Sequence, residues 1–334
     1  MGSLLFMGNP YQHAPEVSIV RTDTCSTNVI TVWATDSGTP PMSNSVSFLV
    51  TVPECVEASL GNAIVLAGQT SSVPVRLLST TTLTNLSFTL VYPPGRLGTN
   101  LALVVNSPQV VTQRVRLVQT GQVEISFTLP ANSILHGPTN VAQLTFTAVS
   151  NQTSAFVALP ITDVNGLKPD GGTVGNAYGQ PGRVVVIGRE PLLEAEWGLS
   201  GQPLLTLYGK PGSSYAMEWR TNLLAGAWQF GGRVPMTNLF QNMGVAVTRP
   251  RQFYRAYEFF AEPPILEVNA HTSNEMTLLL YGLPGTNYLL QATTNLSLTN
   301  GWTPAANIAL TNSFRFINTG RPTNKASFFR AKRS

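Results

Sequence analysis

The feature that most constrains this chain is a motif that occurs twice. LYGKPGSSYAMEWRTNL spans residues 207–223 and LYGLPGTNYLLQATTNL spans residues 280–296, with nine of the seventeen positions identical. The similarity extends on both sides, so that residues 192–258 align with residues 265–333. Self-similarity at a fixed period is the signature of a structural unit that occurs in copies. We therefore predict two copies of one small β module, at 190–260 and 261–334.

Within each copy a proline–glycine turn precedes a strand with apolar residues at alternate positions. These apolar positions are Tyr215, Met217 and Trp219 in the first copy and Tyr288, Leu290 and Ala292 in the second. The positions between them are Glu218 and Arg220 in the first copy and Gln291 and Thr293 in the second. Because the apolar face is retained and the polar face differs, we predict that packing maintains the motif. Trp228 and Trp302 hold equivalent places, one residue out of step, and are predicted to fill the core.

The rest of the chain also alternates with a period of two. Residues 123–129 (VEISFTL), 86–92 (LSFTLVY) and 144–149 (LTFTAV) each place apolar side chains on one strand face. Long segments with helical periodicity are scarce, and charged residues make up only 11% of the chain. Short alternating strands separated by turn residues are typical of β-sandwiches. The fold class predicted is therefore all-β.

The first segment, residues 1–54, contains one clear hairpin. NVITVWATDSGTPPMSNSVSFLVTV (28–52) predicts two strands around a long turn, with Ile30, Val32 and Ala34 facing a core. A single hairpin buries too little apolar surface to be stable alone. We expect these strands to be the end of a sandwich whose earlier strands lie outside the chain. The start of the chain has no credible signal peptide, which predicts a piece of a longer protein or a misplaced start.

The turn of this hairpin resembles the end of a cadherin-like or immunoglobulin-like bacterial repeat. The resemblance rests on Ala34, Asp36, Gly38 and Pro40, which form an A-x-D-x-G-x-P pattern. In cadherins an aspartate at this place helps to bind calcium, and this resemblance makes Asp36 a calcium candidate. The other acidic motifs of that site are absent, so a turn-capping role for Asp36 is the alternative.

Residues 55–189 form the largest segment. It opens with VEASLGNAIVLAGQTSSVPVRLLS and closes with a Gly/Asp-rich turn before a last strand, GRVVVIG. This order of strands resembles the cohesin-like fold, a jelly-roll sandwich shared with several carbohydrate-binding modules. The resemblance implies a protein-binding or glycan-binding surface and no catalysis. The order of all four segments resembles the C-terminal region of large secreted proteins of Verrucomicrobia-type bacteria, which implies an extracellular or cell-surface location.

The sequence offers no catalytic constellation. Its three histidines, His13, His136 and His271, fall in three different segments, and no nucleophile elbow, phosphate loop or zinc motif occurs. We therefore predict a protein that is not an enzyme and has no cofactor. The net charge of +4 is scattered apart from a short basic tail, so nucleic-acid binding is not predicted. No apolar run is long enough to span a membrane.

The cysteines and one tryptophan also bear on function. Cys25 and Cys55 could form a disulfide in an oxidising compartment, or remain two free thiols. Trp33, on the strand face opposite Val32, is the tryptophan expected to be most exposed, and it is the candidate for stacking on a sugar ring.

The function predicted is surface adhesion or scaffolding through a cell-surface protein or a polysaccharide. The alternative is a carbohydrate-binding appendage of a polysaccharide-degrading enzyme whose catalytic domain lies outside this chain.

Overall fold

The computed structural model describes residues 3–5, 16–19, 25, 28–35, 38–50, 54–135, 139–197, 202–244, 251–271, 275–297, 301–320 and 327–334. Every regular element in these ranges is a β-strand, which confirms the all-β prediction. The same ranges contain no helix that is long and apolar enough to cross a membrane. The chain divides into two compact units, residues 1–150 with 156–186 and residues 151–155 with 187–334.

The first unit begins with a four-stranded antiparallel sheet. Its strands, in spatial order, are β1 (Ser3–Leu5), β2 (Glu16–Ile19), β3 (Asn28–Thr35) and β4 (Ser43–Val50). The hairpin predicted from residues 28–52 is thus confirmed as β3 and β4, which pair from Asn28 opposite Val50 to Thr35 opposite Ser43.

The predicted core face of this hairpin is only partly described. Val32 is half-buried, and the side chains of Ile30 and Ala34 lie outside the described residues. On β4, Val46 and Phe48 share that face and are exposed.

The largest part of the first unit is built from twelve strands. They are β5 (Cys55–Leu60), β6 (Asn62–Leu66), β7 (Thr70–Ser79), β8 (Leu83–Val91), β9 (Ala102–Val105), β10 (Thr112–Gln119), β11 (Gln122–Ser133), β12 (Thr139–Thr147), β13 (Ala155–Leu159), β14 (Ile161–Leu167), β15 (Asn176–Gln180) and β16 (Gly182–Ile187). A four-stranded sheet has the order β10-β11-β8-β14, and a five-stranded sheet has the order β15-β5-β7-β12-β9. A three-stranded sheet, β13-β16-β6, completes the set. β15 pairs with β5 in parallel, whereas the other pairings described in the two larger sheets are antiparallel.

The core of this sandwich follows the predicted alternation. Ile125 and Phe127 of β11 are fully buried and lie opposite Phe88 and Leu86 of β8, so the two strands present one continuous apolar face. The rings of Phe88 and Phe127 lie with centroids 6.4 Å apart. Each large apolar side chain buried in this way stabilises the fold by about 1.5–3 kcal/mol. A shift of one residue in register would turn this face to solvent, which is why the alternation specifies the pairing.

Cys25 and Cys55 form a disulfide, which decides between the two alternatives left by the sequence. The Cα atoms are 5.4 Å apart and the bond closes a loop of thirty residues in sequence separation. Cys55 is the first residue of β5 and is completely buried. The bond therefore ties the segment that precedes β3 to the first strand of the sandwich.

The described residues of the second unit form twelve strands. They are β17 (Leu192–Trp197), β18 (Pro203–Tyr208), β19 (Ser214–Arg220), β20 (Gln229–Pro235), β21 (Phe240–Gly244), β22 (Phe253–Glu258), β23 (Ile265–His271), β24 (Met276–Tyr281), β25 (Thr286–Thr293), β26 (Thr303–Leu310), β27 (Phe314–Asn318) and β28 (Phe328–Arg333). We call the sheets β17-β18-β21 and β20-β19-β22 the first sheet pair. The sheets β23-β24-β27 and β26-β25-β28 are the second sheet pair. The order and antiparallel pairing of the strands are the same in both pairs.

A tyrosine explains why the repeated motif is retained. The hydroxyl of Tyr215 accepts a hydrogen bond of 2.9 Å from the backbone N–H of Lys210. The hydroxyl of Tyr288 accepts a hydrogen bond of the same length, 2.9 Å, from the backbone N–H of Leu283. Each ring lies against a glycine at which a Cβ atom would come within 2.8 Å of the ring or closer. The tyrosine thus fixes the proline–glycine turn to the strand that follows, and the adjacent glycine gives the ring its space.

Four of the six apolar positions of the motif lie in the core, as predicted, whereas Trp219 and Ala292 are half-buried. Tyr215 and Met217 belong to the core of the first sheet pair, with Leu205, Leu207, Val234 and Met236. Tyr288 and Leu290 belong to the core of the second pair, with Met276, Leu278, Leu280, Ile308 and Leu310. The retained apolar face is therefore the face that joins the two sheets of each pair.

Candidate interaction surfaces

The outer face of the sheet β10-β11-β8-β14 is broad and polar. Its side chains are Asn85, Ser87, Thr89, Arg114, Arg116, Glu124, Ser126, Thr128, Thr162 and Asn165. These residues alternate with the buried ones along each strand, so the pleat itself turns them outward. Arg116 donates from Nε to Oε2 of Glu124 across the two strands, at 2.7 Å. The face therefore offers hydroxyl and amide groups, the Arg116–Glu124 pair and the further positive charge of Arg114.

The edge of this sheet is apolar. All eight residues of β10 are exposed, among them Val115, Leu117 and Val118, and Val111 just before the strand is exposed as well. Leu117 has 64% of its surface exposed although it lies opposite the buried Val123 of β11. Exposed apolar residues on an edge strand favour contact with another protein, because the edge also presents backbone groups that can pair. Strand β10 is therefore the part of the sandwich best suited to an interface.

Trp33 is exposed, as expected, and Asp36 lies outside the described residues. Half of the surface of Trp33 is accessible, and across the hairpin it lies opposite Ser45. On the same sheet face the hydroxyl groups of Thr31 and Ser47 are 2.8 Å apart. An accessible indole ring beside a row of hydroxyl groups could stack on a sugar. The calcium role of Asp36 stays a prediction.

Trp228 is not in the core, and that prediction was wrong. The ring is half-buried on the outer face of the first sheet pair, where the guanidinium groups of Arg220 and Arg255 lie 4.4 and 4.3 Å from the indole centroid. Arg255 also donates from Nη2 to Oε2 of Glu218 at 2.6 Å. The indole ring lies here because a flat aromatic face attracts a guanidinium group.

Trp302 repeats this arrangement in the second sheet pair, and its predicted core position was also wrong. The guanidinium of Arg330 lies 4.2 Å from the indole centroid, and its Nε donates to Oε1 of Gln291 at 3.0 Å. The two outer faces therefore retain an arginine, a tryptophan and an acceptor side chain, although the aligned strand residues differ. The arginine shared by FYRA (253–256) and FFRA (328–331) was the sequence signal for this cluster.

Arg233 of β20 links the two sheet pairs. Its Nη1 lies 2.5 Å from Oε1 of Glu267 on β23. The guanidinium also lies 5.1 Å from the ring centroid of Phe259 and 5.9 Å from that of Tyr281. An arginine held by a carboxylate and two rings is restricted in its rotamers, so this contact fixes the two sheet pairs to one another.

Further hydrogen bonds and a ring contact join the two sheet pairs near Arg233. The buried hydroxyl groups of Ser214 and Ser313 are 3.0 Å apart. The backbone N–H of Ser313 donates to the carbonyl oxygen of Gly212 at 3.1 Å. The rings of Phe259 and Tyr281 meet edge to face, with centroids 6.0 Å apart. Burial raises the pKa of Tyr281 to about 12, the Glu267 carboxylate acts in the same direction, and Arg233 opposes it.

The structure assembles no metal-ligand cluster from the residues it describes. Within those residues no three histidine, cysteine, aspartate or glutamate side chains come together in a way that could hold a metal ion. His13 and His136 lie outside the described residues, and the backbone of His271 ends β23. The carboxylate of Glu194 accepts a hydrogen bond of 2.7 Å from the hydroxyl of Tyr208.

Comparison with solved structures finds cohesin domains. A cohesin from Clostridium acetobutylicum is 22% identical over 92% of its own length and 40% of this chain, with a TM-score of 0.35. A type I cohesin in complex with a dockerin from Clostridium thermocellum is 12% identical over 98% of its length and 42% of this chain, with a TM-score of 0.35. The third ScaC cohesin, in complex with the ScaB dockerin from Acetivibrio cellulolyticus, is 16% identical over 99% of its length and 40% of this chain, with a TM-score of 0.34. Neither a protein-family model nor a curated protein matches the chain.

Proposed function

We propose that this chain is part of a non-catalytic, extracellular, modular β protein whose central sandwich binds a protein partner. The observation that carries the proposal is strand β10, which is exposed along its whole length at the sheet edge and presents Val115 and Leu117 on one face and Arg114 and Arg116 on the polar outer face. An interface needs an apolar contact that excludes water and polar groups that set the register, and this surface offers both. The role that fits such a surface is scaffolding or adhesion.

The remainder of the chain fits the same proposal. The Cys25–Cys55 disulfide supports an extracellular or cell-surface location, because disulfides persist in oxidising compartments. The equal strand order of the two sheet pairs supports the interpretation that they are two copies of one module, with domains at 1–54, 55–189, 190–260 and 261–334. The contacts of Arg233 would give these two modules a fixed relative orientation, as a spacer in a surface protein requires.

The first probe is a dockerin, since dockerins are the partners of the cohesins in the solved complexes. A panel of type I dockerins would be titrated into the full chain by isothermal titration calorimetry. We expect at least one member to bind. Leu117→Arg should then weaken binding at least about tenfold, because it places a charge in the apolar edge that the partner covers.

Leu224→Arg is the matched control. Leu224 is 97% exposed and belongs to the second unit, so the same substitution there should leave the affinity unchanged. Both leucines are exposed, and therefore neither variant should unfold the chain. The absence of heat with every dockerin, or equal binding by Leu117→Arg and the unsubstituted chain, would contradict the proposal.

Glycan binding at Trp33 is the second candidate function, and the accessible indole ring beside Thr31, Ser45 and Ser47 favours it. Depletion of the chain from solution by a panel of insoluble polysaccharides would test it. Retention on one polysaccharide that is lost in Trp33→Ala is the supporting result. Trp197→Ala, which removes another exposed indole, should leave retention unchanged. Failure of every polysaccharide to retain the chain would exclude this function.

A further inference from the structure

A cavity of about 520 Å³ lies between the two sheets of the first sheet pair. Its walls include the aliphatic and thioether side chains of Leu205, Met217, Val234 and Met243. The aromatic side chains of Trp219 and Tyr254, which lie opposite one another on β19 and β22, complete the wall. A volume of 300–1,000 Å³ is typical of small-molecule sites, and the walls of this cavity combine apolar and polar groups.

In the second sheet pair, core side chains occupy the space that corresponds to this cavity. The equivalent residues of the first sheet pair are smaller or do not reach this space. Met217 lies opposite Gly232, whereas its counterpart Leu290 lies opposite Ala306, which packs against the core of the second pair. The first residue of β18 is Pro203, and the first residue of β24 is Met276, a buried member of that core.

The indole ring in this wall is specific to the first pair, whereas Tyr254 has an aromatic counterpart, Phe329, in the second pair. Trp219 follows Met217 by two residues on β19, and the residue in the same position after Leu290 on β25 is Ala292. A motif kept only for packing would fill both interiors alike. The first copy instead combines a glycine, which leaves space, with an indole ring that borders it.

The charges around the cavity indicate what kind of ligand it would take. Glu218 and Arg233 border the cavity, but Glu218 is paired with Arg255 and Arg233 is paired with Glu267. A charged ligand would therefore find no unbalanced partner among these residues. The amides of the lining residues Gln241 and Gln252 could supply hydrogen bonds to a neutral polar group.

We propose that the first sheet pair binds a small, uncharged molecule in this cavity, with its apolar rings or chains against Met217, Met243 and Trp219. Thioether side chains adapt to irregular apolar shapes, and aromatic rings provide a flat contact. This site is separate from the protein-binding edge of the sandwich and does not depend on it.

The probe for this proposal is N-phenyl-1-naphthylamine, a neutral apolar dye that fluoresces when it leaves water. Titration into the full chain should give a saturable signal with one site per chain. Gly231→Leu, on β20, and Met243→Trp, on β21, each place a larger side chain into the cavity, one from each of its two sheets. Gly231 needs no positive φ and an added Cβ there meets no atom closer than 3.4 Å, and Met243 is only half-buried, so both variants should fold.

We expect each of these variants to weaken dye binding at least about tenfold, because the larger side chain occupies the ligand's space. Gly175→Leu is the matched control, since Gly175 also has open space around an added Cβ and does not line the cavity. The affinity of Gly175→Leu for the dye should stay within about twofold of that of the unsubstituted chain. Circular dichroism would confirm that all three variants are folded. An absence of saturable binding to the unsubstituted chain, or undiminished binding by both cavity variants, would overturn the proposal.

Discussion

Arg233 gives the most direct test of the contact between the two sheet pairs. Its hydrogen-bonded pair with the Glu267 carboxylate belongs to a class of bonds that contribute about 1.5–3 kcal/mol. The arginine and glutamate side chains are 21% and 39% exposed, so solvent screening moves the contribution to the lower end of that range. The contacts with the rings of Phe259 and Tyr281 add about 0.5–1 kcal/mol each. We therefore expect Arg233→Ala to reduce the free energy of unfolding of the second unit by about 2–3 kcal/mol.

Tryptophan fluorescence during urea unfolding is the appropriate assay. Trp33 is the single tryptophan before residue 197, so a Trp33→Phe background restricts the signal to the second unit. A double-mutant cycle of Arg233→Ala with Glu267→Gln then isolates the ion pair, for which we expect a coupling of about 1–1.5 kcal/mol. Arg251→Ala removes an exposed arginine from the same unit and should change stability by less than about 0.5 kcal/mol. A coupling below about 0.3 kcal/mol would refute the role assigned to this pair.

Three further predictions concern the turn, the disulfide and the buried phenol. Gly209→Ala should destabilise the second unit by about 2–3 kcal/mol in urea unfolding, since the new Cβ would lie 2.5 Å from a buried ring, whereas Gly175→Ala should have almost no effect. Replacing Cys25 and Cys55 by alanine should destabilise the first unit by about 3–4 kcal/mol, measured by hydrogen exchange of β5, because a thirty-residue loop is no longer closed in the unfolded chain; unchanged exchange would contradict this. The folded state holds the phenol proton of Tyr281 more tightly than the unfolded state does, so stability present below pH 10 should fall by about 2 kcal/mol as the pH rises to 12. Tyr281→Phe should remove that part of the pH dependence, and an identical pH profile would count against the raised pKa.

The strands of the sandwich could be predicted because the buried and exposed faces of a strand follow from the alternation of apolar and polar residues within that strand. Residues 123–129 and 86–90 alternate strictly, and one face of a strand in a sandwich must be apolar. The hairpin of β3 and β4 and the repeated strand–turn–strand motif were predicted for the same reason. In the motif, the glycine, the turn and the tyrosine lie within nine residues, so the sequence contains the whole interaction.

The interaction surfaces depend on residues that are distant in sequence, and they were predicted less well. Trp228 lies outside the core and contacts Arg255, which belongs to another strand and is distant from Trp228 in the sequence. The exposure of Leu117 follows from the position of β10 at a sheet edge, which alternation alone does not reveal. The disulfide depends on the Cα separation of Cys25 and Cys55, and the cavity depends on a glycine opposite Met217 across a strand pair.

The disulfide also determines how the chain would respond to a pulling force. Strands β3 and β4 both lie between Cys25 and Cys55, inside the covalent loop. A load applied along the backbone would pass through the sulfur–sulfur bond and leave this hairpin untouched. Stretched to its full contour, the oxidised molecule should be about 100 Å shorter than the reduced one, at about 3.4 Å for each residue held in the loop.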